Sequence, residues 1–325
     1  MEKYKELFNK FYLDKGIDKK YAEKYLSVKV FYEYDLYNYQ HVEDIIQIFF
    51  EVVGKKEYIK NFRSTYVFIN KFYDWSTENG YIVFNPFERF PNLNYKNLIN
   101  EYVQRSNVTV FYEEDIDNIC NNIIPAKSKN ITQRLFQEAL ILLSYNGIIF
   151  SSADFAKLTI EDIDFVKLTI KNKKMRSDLV NTLLLYVNNY EKGKFQRYNN
   201  HLIALPSKTF YKIENEDMYI EKTINYINNS LKKLSLMVGN KMSVDAVAKS
   251  GFLKYVHENV GDKFNDVFEI DDNLDLTKIN KEPTENVILL ERLMEEFGEK
   301  GRHAYEIKQK YFVAARKSKW WNWNN

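Results

Sequence analysis

From Lys55 to Thr77 the chain reads KKEYIKNFRSTYVFINKFYDWST, with Tyr58, Phe62, Tyr66, Ile69 and Phe72 on one stripe at helical spacing. Asn79-Gly80 stops the pattern. Such stripes recur along the chain, and little interrupts them: 325 residues contain only ten Gly and five Pro. Those residues punctuate turns, so their scarcity favours helices on short connections over a many-turned β architecture. At roughly 100–200 residues per domain, the length suggests two domains, each able to bury a core.

The first half predicts a four- or five-helix domain over residues 1–91. Residues 4–13, a segment starting at Asp18, and residues 42–53 precede the stripe. Asn85-Pro86 marks a turn after it. Residues 92–106 are expected to be a linker and 107–325 the second domain. That domain opens with VFYEEDIDNICNNI, a helix with acids in its first turn, favourable to the helix dipole. Arg134–Tyr145 is strongly apolar, so it predicts a buried helix ended at Gly147. Ala153–Leu158 predicts a short helix. DFVKLTIKNKKMRSD alternates apolar and polar residues, as a strand within a small basic hairpin does. Helices are expected over Ser177–Tyr190, Tyr219–Val238, Val244–Val260, Thr284–Phe297 and His303–Arg316. The fold class is mainly α with a small β-sheet.

The formal net charge is only +2, but it is unevenly placed. Residues 167–212 carry ten Lys/Arg against two acids, and residues 258–299 carry thirteen acids against four bases. That polarity suggests a basic surface and an acidic one. The acidic insertion near 262–285 is either ordered or a flexible loop, and it is expected to face away from any polyanion. Cys120 is alone, which excludes a disulfide framework. MEKYKELFNK lacks an apolar core, so no signal peptide is read there. No apolar run approaches 18 residues, so no membrane partner is expected. These readings point to a cytoplasmic protein. The four His show no close metal-ligand pairing and no Gly-rich phosphate loop exists, so neither a metal nor a cofactor is expected.

Four segments carry a resemblance. FYDWSTENGYIVFNPF (Phe72–Phe87), LLSYNGIIFSSADFAKLTIEDIDF (Leu142–Phe165), the hairpin LTIKNKKMRSD and GRHAYEIKQKY (Gly301–Tyr311) occur in this order. Together the chain resembles the tyrosine recombinase (phage integrase) family across nearly its whole length. The resemblance implies a helical core-binding domain followed by a catalytic-fold domain. It also implies a tyrosine nucleophile, here Tyr311, nine residues after a family His that is Arg302 in this chain.

The chemistry that the resemblance implies needs two arginines on the scissile phosphate. One arginine at a phosphoryl transition state can be worth roughly 10³–10⁵ in rate. The first position is Ser151, or Ile149 if counted from Gly147, and no Arg lies between Arg134 and Arg176. The second is Ala248, with Asp245 at the accompanying His position, and no Arg lies between Arg197 and Arg292. Lys249 is adjacent but lacks the guanidinium fork. A phenol with pKa near 10 is a weak nucleophile alone. With those positions lost, what the resemblance implies is a non-enzymatic, sequence-specific binder of double-stranded DNA, a transcriptional repressor maintaining a prophage. The alternative is an active or accessory recombinase.

The candidate DNA-binding residues fall in four groups. Lys55, Lys56, Lys60, Asn61, Arg63 and Ser64 share roughly one polar helix face. Lys171, Lys173, Lys174 and Arg176 lie on the hairpin, and Lys194 and Arg197 follow in an expected loop with Tyr198. Lys249, Arg302, His303, Lys308, Lys310 and Tyr311 surround the former active-site segment. The tail ARKSKWWNWNN either anchors a second protomer, giving weak self-association, or packs on its own domain. The acidic segment is a candidate surface for a regulatory protein.

Overall fold

The computed structural model describes residues 2–17, 46–47, 49–50, 60–128, 130–269, 284–298 and 304–323. The chain divides into two compact units, Met1–Asn107 and Val108–Asn325. Both are mainly helical, and the second carries two small sheets.

In the first unit the apolar stripe forms helix α2 (Lys60–Glu78), facing α1 (Glu2–Lys15). Phe11 of α1 is fully buried and meets Phe68 and Phe72 edge-on at 5.6 and 5.4 Å. Trp75 donates from Nε1 to Asp14 at 3.0 Å, so its polar edge is satisfied where its ring is buried. The Asn85-Pro86 turn is a helix cap. Asn85 accepts from the Phe87 amide at 2.9 Å and donates to Asn70 and Asp74 of α2 at 2.7 and 2.6 Å. The expected linker is instead a helix of this unit, α3 (Tyr95–Arg105). Its Leu98, Ile99, Tyr102 and Val103 are buried, and Tyr102 packs on Phe62. The sequence NLNYKNLINEYVQR has the spacing of an amphipathic helix, which Asn94 caps by accepting from the Asn97 amide. The helix expected from Asp18 lies outside the described residues. Of the segment 42–53, only Ile46, Gln47, Phe49 and Phe50 are described, all helical.

The second unit opens with α4 (Glu113–Asn118), which continues as a π-helical stretch, Ile119–Ile123. Its centre is α5 (Ile131–Tyr145), buried at every residue from Leu135 to Tyr145. Around it pack α6 (Ser177–Asn188) and α8 (Val244–Val260). The long α7 (Glu216–Val238) covers the short helix Ser152–Ala156. A second hydrophobic cluster forms where the C-terminal half of α8 meets α9 (Glu285–Phe297) and α10 (Ala304–Lys317).

The alternating segment forms a three-stranded antiparallel sheet, β1 (Ile163–Asp164), β2 (Thr169–Ile170) and β3 (Lys173–Lys174). Ile170 faces Lys173 across a two-residue loop, Lys171-Asn172. Of the expected loop residues, Lys194 lies in a turn but Arg197 lies in a strand. Phe195–Arg197 (β4) pairs antiparallel with Ala204–Pro206 (β5), whose Ala204 and Leu205 are core residues.

Two small neighbours on α8 do separate jobs. A methyl group on Gly251 would land on the Tyr145 backbone carbonyl, so only glycine lets the helices come this close. Ser250 accepts from the Phe111 amide at 2.9 Å and donates back to the Ala246 carbonyl at 2.8 Å, tying in the start of the unit.

The tail packs on its own unit. Asn265 donates to the Asn322 carbonyl at 2.6 Å and accepts from the Asn322 amide at 3.1 Å. Trp321 is buried, and the Arg316 guanidinium stacks over Phe312 and Trp321 at 4.6 and 4.9 Å. Trp320 packs edge-on against Tyr112, leaving Trp323 half exposed. Of the two readings of the tail, its aromatics thus follow the one in which they pack on their own domain.

Candidate nucleic-acid interface

The hairpin positions several exposed cations of the basic segment. Its two loop residues, Lys171 and Asn172, have φ of 47° and 66°, as the mirror-image turn of a two-residue hairpin requires. Asn tolerates that region, but lysine is strained there by on the order of 1 kcal/mol or more. Lys171 and Lys174 are exposed, and Lys167 is exposed beside Asp164 at 3.5 Å.

Lys173 and Arg176 do something else. Lys173 turns inward and donates from Nζ to the Gly147 carbonyl at 2.8 Å and to the Phe297 carbonyl. It thereby caps the C-terminal ends of α5 and α9 and staples the hairpin to both. Gly298, at φ 110°, leaves room for it, since a side chain there would meet the Lys173 ammonium. Burial pushes the Lys173 pKa down to about 8. Arg176 bonds Glu113 at 2.8 Å and Asp178 at 3.2 Å, so the hairpin cations are not free of nearby acids. Glu113 lies 63 positions away, which is why local spacing missed the pair.

Arg197 of β4 is also engaged within the fold. Arg197 donates to the carbonyls of Tyr186, Val187 and Leu202 at 3.2, 3.3 and 3.1 Å. It thereby caps the end of α6. Tyr198 stacks on Tyr219 at 5.3 Å. Lys194 is exposed but paired with Glu191 at 3.1 Å.

The segment that the resemblance aligns with an active site differs most from the expectation of exposed DNA contacts. Tyr311 has 0% exposure, with its ring 4.6 Å from that of Phe252. Lys249 and Lys310 are buried and converge on one half-exposed carboxylate, Asp245, at 2.8 and 3.2 Å. Burial opposes the Asp245 charge, but the two ammonium groups outweigh it and hold its pKa below the usual carboxylate value. Lys308 is buried too and donates to the Glu269 carbonyl at 3.1 Å. Ser151 caps a helix by accepting from the Asp154 amide at 3.1 Å, and Ala248 is buried. Neither position offers a charge to a phosphate.

Lys55, Lys56, Arg302 and His303 lie outside the described residues. The backbone of Lys60, Asn61, Arg63 and Ser64 belongs to α2, but their side chains are outside the described ones. Among the described residues no cluster of His, Cys, Asp and Glu could hold a metal, and no helix is long and apolar enough to cross a membrane.

The structure adds a feature that spacing did not suggest, an open cleft of about 500 Å³ between the hairpin, the end of α5, α8 and the end of α9. Arg176, Glu113, Lys254 and Glu258 form a chain of ion pairs beside it, at 2.8, 2.8 and 3.3 Å. Only the Lys254–Glu258 step, at helical spacing, was legible in the sequence. Comparison with protein-family models, with curated proteins and with solved structures finds no match.

Proposed function

We propose that the chain is a DNA-binding protein that does not cut DNA, built on a degenerate tyrosine-recombinase plan and acting as a prophage repressor. The observation that carries the binding half is the hairpin tip. A lysine occupies a backbone conformation that suits Asn or Gly, and its side chain is exposed. Strain kept at a solvent-facing position argues for a role outside the fold. Lys173 makes the tip rigid, which spares ordering entropy when Lys171, Lys174 and Lys167 meet phosphates. The non-cutting half rests on Tyr311, buried against Phe252, and on Ser151 and Ala248 where the resemblance implies arginines.

The test is selection of genomic fragments on the immobilised full chain, followed by titration of the recovered sites at several salt concentrations. Tight sites near promoters are expected. Lys171→Glu with Lys174→Glu should weaken binding across sequences and flatten the salt dependence by about 0.9 for each phosphate no longer neutralised. Unchanged affinity would remove the hairpin from the interface. Sites confined to one attachment locus would favour an accessory role in recombination. A covalent adduct on a nicked substrate, absent in Tyr311→Phe, would establish an active recombinase.

A further inference from the structure

The cleft beside the hairpin is not explained by backbone-phosphate contact. Its lining includes Lys174, Arg176 and Lys254 but also Glu258 and Glu296. On α8 it occupies the face of Gly251, Lys254, Tyr255 and Glu258. At 3.6 residues per turn, Lys254 lies about 180° round the helix from Asp245, so the cleft is separate from the Asp245, Lys249 and Lys310 cluster.

Tyr145 is 3% exposed and lines the cleft, and its hydroxyl has no hydrogen-bond partner among the described residues. An orphaned buried hydroxyl costs on the order of 1–3 kcal/mol, so it requires a reason. Glu113, beside the cleft, is already engaged: it takes Arg176 on one oxygen and Lys254 on the other, each at 2.8 Å. Lys174 is exposed and pairs with no acid among the described residues. On the other wall Tyr255 donates to Glu296 at 2.8 Å, and its ring sits 5.6 Å from that of Phe297. From Gly251 to Glu258 along α8 is about 10 Å at a rise of about 1.5 Å per residue. The walls thus offer cations with a free hydroxyl, carboxylates, and aromatic surface.

A bare anion would meet Glu258 and Glu296, and an apolar ligand would strip water from both charge types without pairing them. The volume is that of a small-molecule site, within the range of roughly 300–1,000 Å³. We propose that the cleft binds a short peptide with free termini: its carboxylate accepts from Tyr145 and Lys174, its ammonium pairs with Glu258 and Glu296, and a side chain lies on Tyr255 and Phe297. This does not depend on the chain binding DNA.

The test is calorimetric titration of the full chain with the tripeptide Ala-Phe-Ala, its N-acetyl form, its C-terminal amide, and inorganic phosphate. Saturable binding of the free tripeptide is expected, at least about tenfold weaker for either blocked form. Tyr145→Phe should bind about tenfold more weakly while melting no lower than wild type, because the hydroxyl it loses is unpartnered. Lys174→Ala, at an exposed site, should weaken binding without touching the fold. No tripeptide binding, equal binding of the blocked forms, binding of phosphate alone, or full affinity in Tyr145→Phe would each overturn the assignment.

Discussion

Gly251→Ala tests the packing that places α8 against α5. In an ordinary helix interior the change stabilises, since Ala exceeds Gly in helix propensity by about 1 kcal/mol. Here the new methyl meets the Tyr145 carbonyl oxygen and carbon, which are backbone and cannot rotate away. The two helices must separate instead. Overpacking costs typically 1–3 kcal/mol, and with backbone on both sides the upper end, about 3 kcal/mol, applies. Less the propensity gain, the net destabilisation is about 2 kcal/mol. At roughly 2–4 °C per kcal/mol for a unit of this size, the midpoint should fall by about 4–8 °C. Urea unfolding should show a lower midpoint at an unchanged slope. A variant that is more stable than wild type by about 1 kcal/mol would refute the close approach and with it the shape of the cleft.

Further outcomes follow from the buried charges and rings. Asp245→Asn leaves Lys249 and Lys310 facing each other, at a cost of about 1–3 kcal/mol, below that of a fully buried pair because the carboxylate is half exposed. Since the folded pKa of Asp245 is depressed, its contribution is complete above the unfolded value near 4 and lost as the pH falls below it. Acid titration of stability should therefore be shallower in Asp245→Asn than in wild type. Tyr311→Ala should cost about 3–5 kcal/mol, as truncating a buried aromatic does, whereas Tyr311→Phe should leave DNA affinity unchanged if the hydroxyl touches no phosphate. Lys173→Met should leave the Gly147 and Phe297 carbonyls without their shared donor, costing about 1–3 kcal/mol in thermal unfolding.

Where the chain is periodic, the sequence read true. Val244–Val260 matches its helix end to end, and the apolar Arg134–Tyr145 lies within the buried α5. The two-residue loop at Lys171-Asn172 lies inside the expected hairpin. The interval 92–106, expected as a linker, carries a helical stripe of Leu98, Ile99, Tyr102 and Val103 and holds a helix. Phe195–Arg197 was too short and polar to announce a strand, and its partner at Ala204–Pro206 made it one.

The candidate site fared differently because charge has no period. A lysine looks the same in sequence whether it faces solvent, as Lys171 and Lys174 do, or caps helix ends, as Lys173 does. Helix positions, the hairpin and the uncharged residues at Ser151 and Ala248 could be read without any structure, since they depend on residue identity and local spacing. The burial of Tyr311, the sharing of Asp245 by Lys249 and Lys310, and the place of Tyr145 in a cleft with Lys254 and Glu258 came from the folded chain alone. These depend on which distant backbones approach, and Gly251 sets one such approach by having no side chain at all.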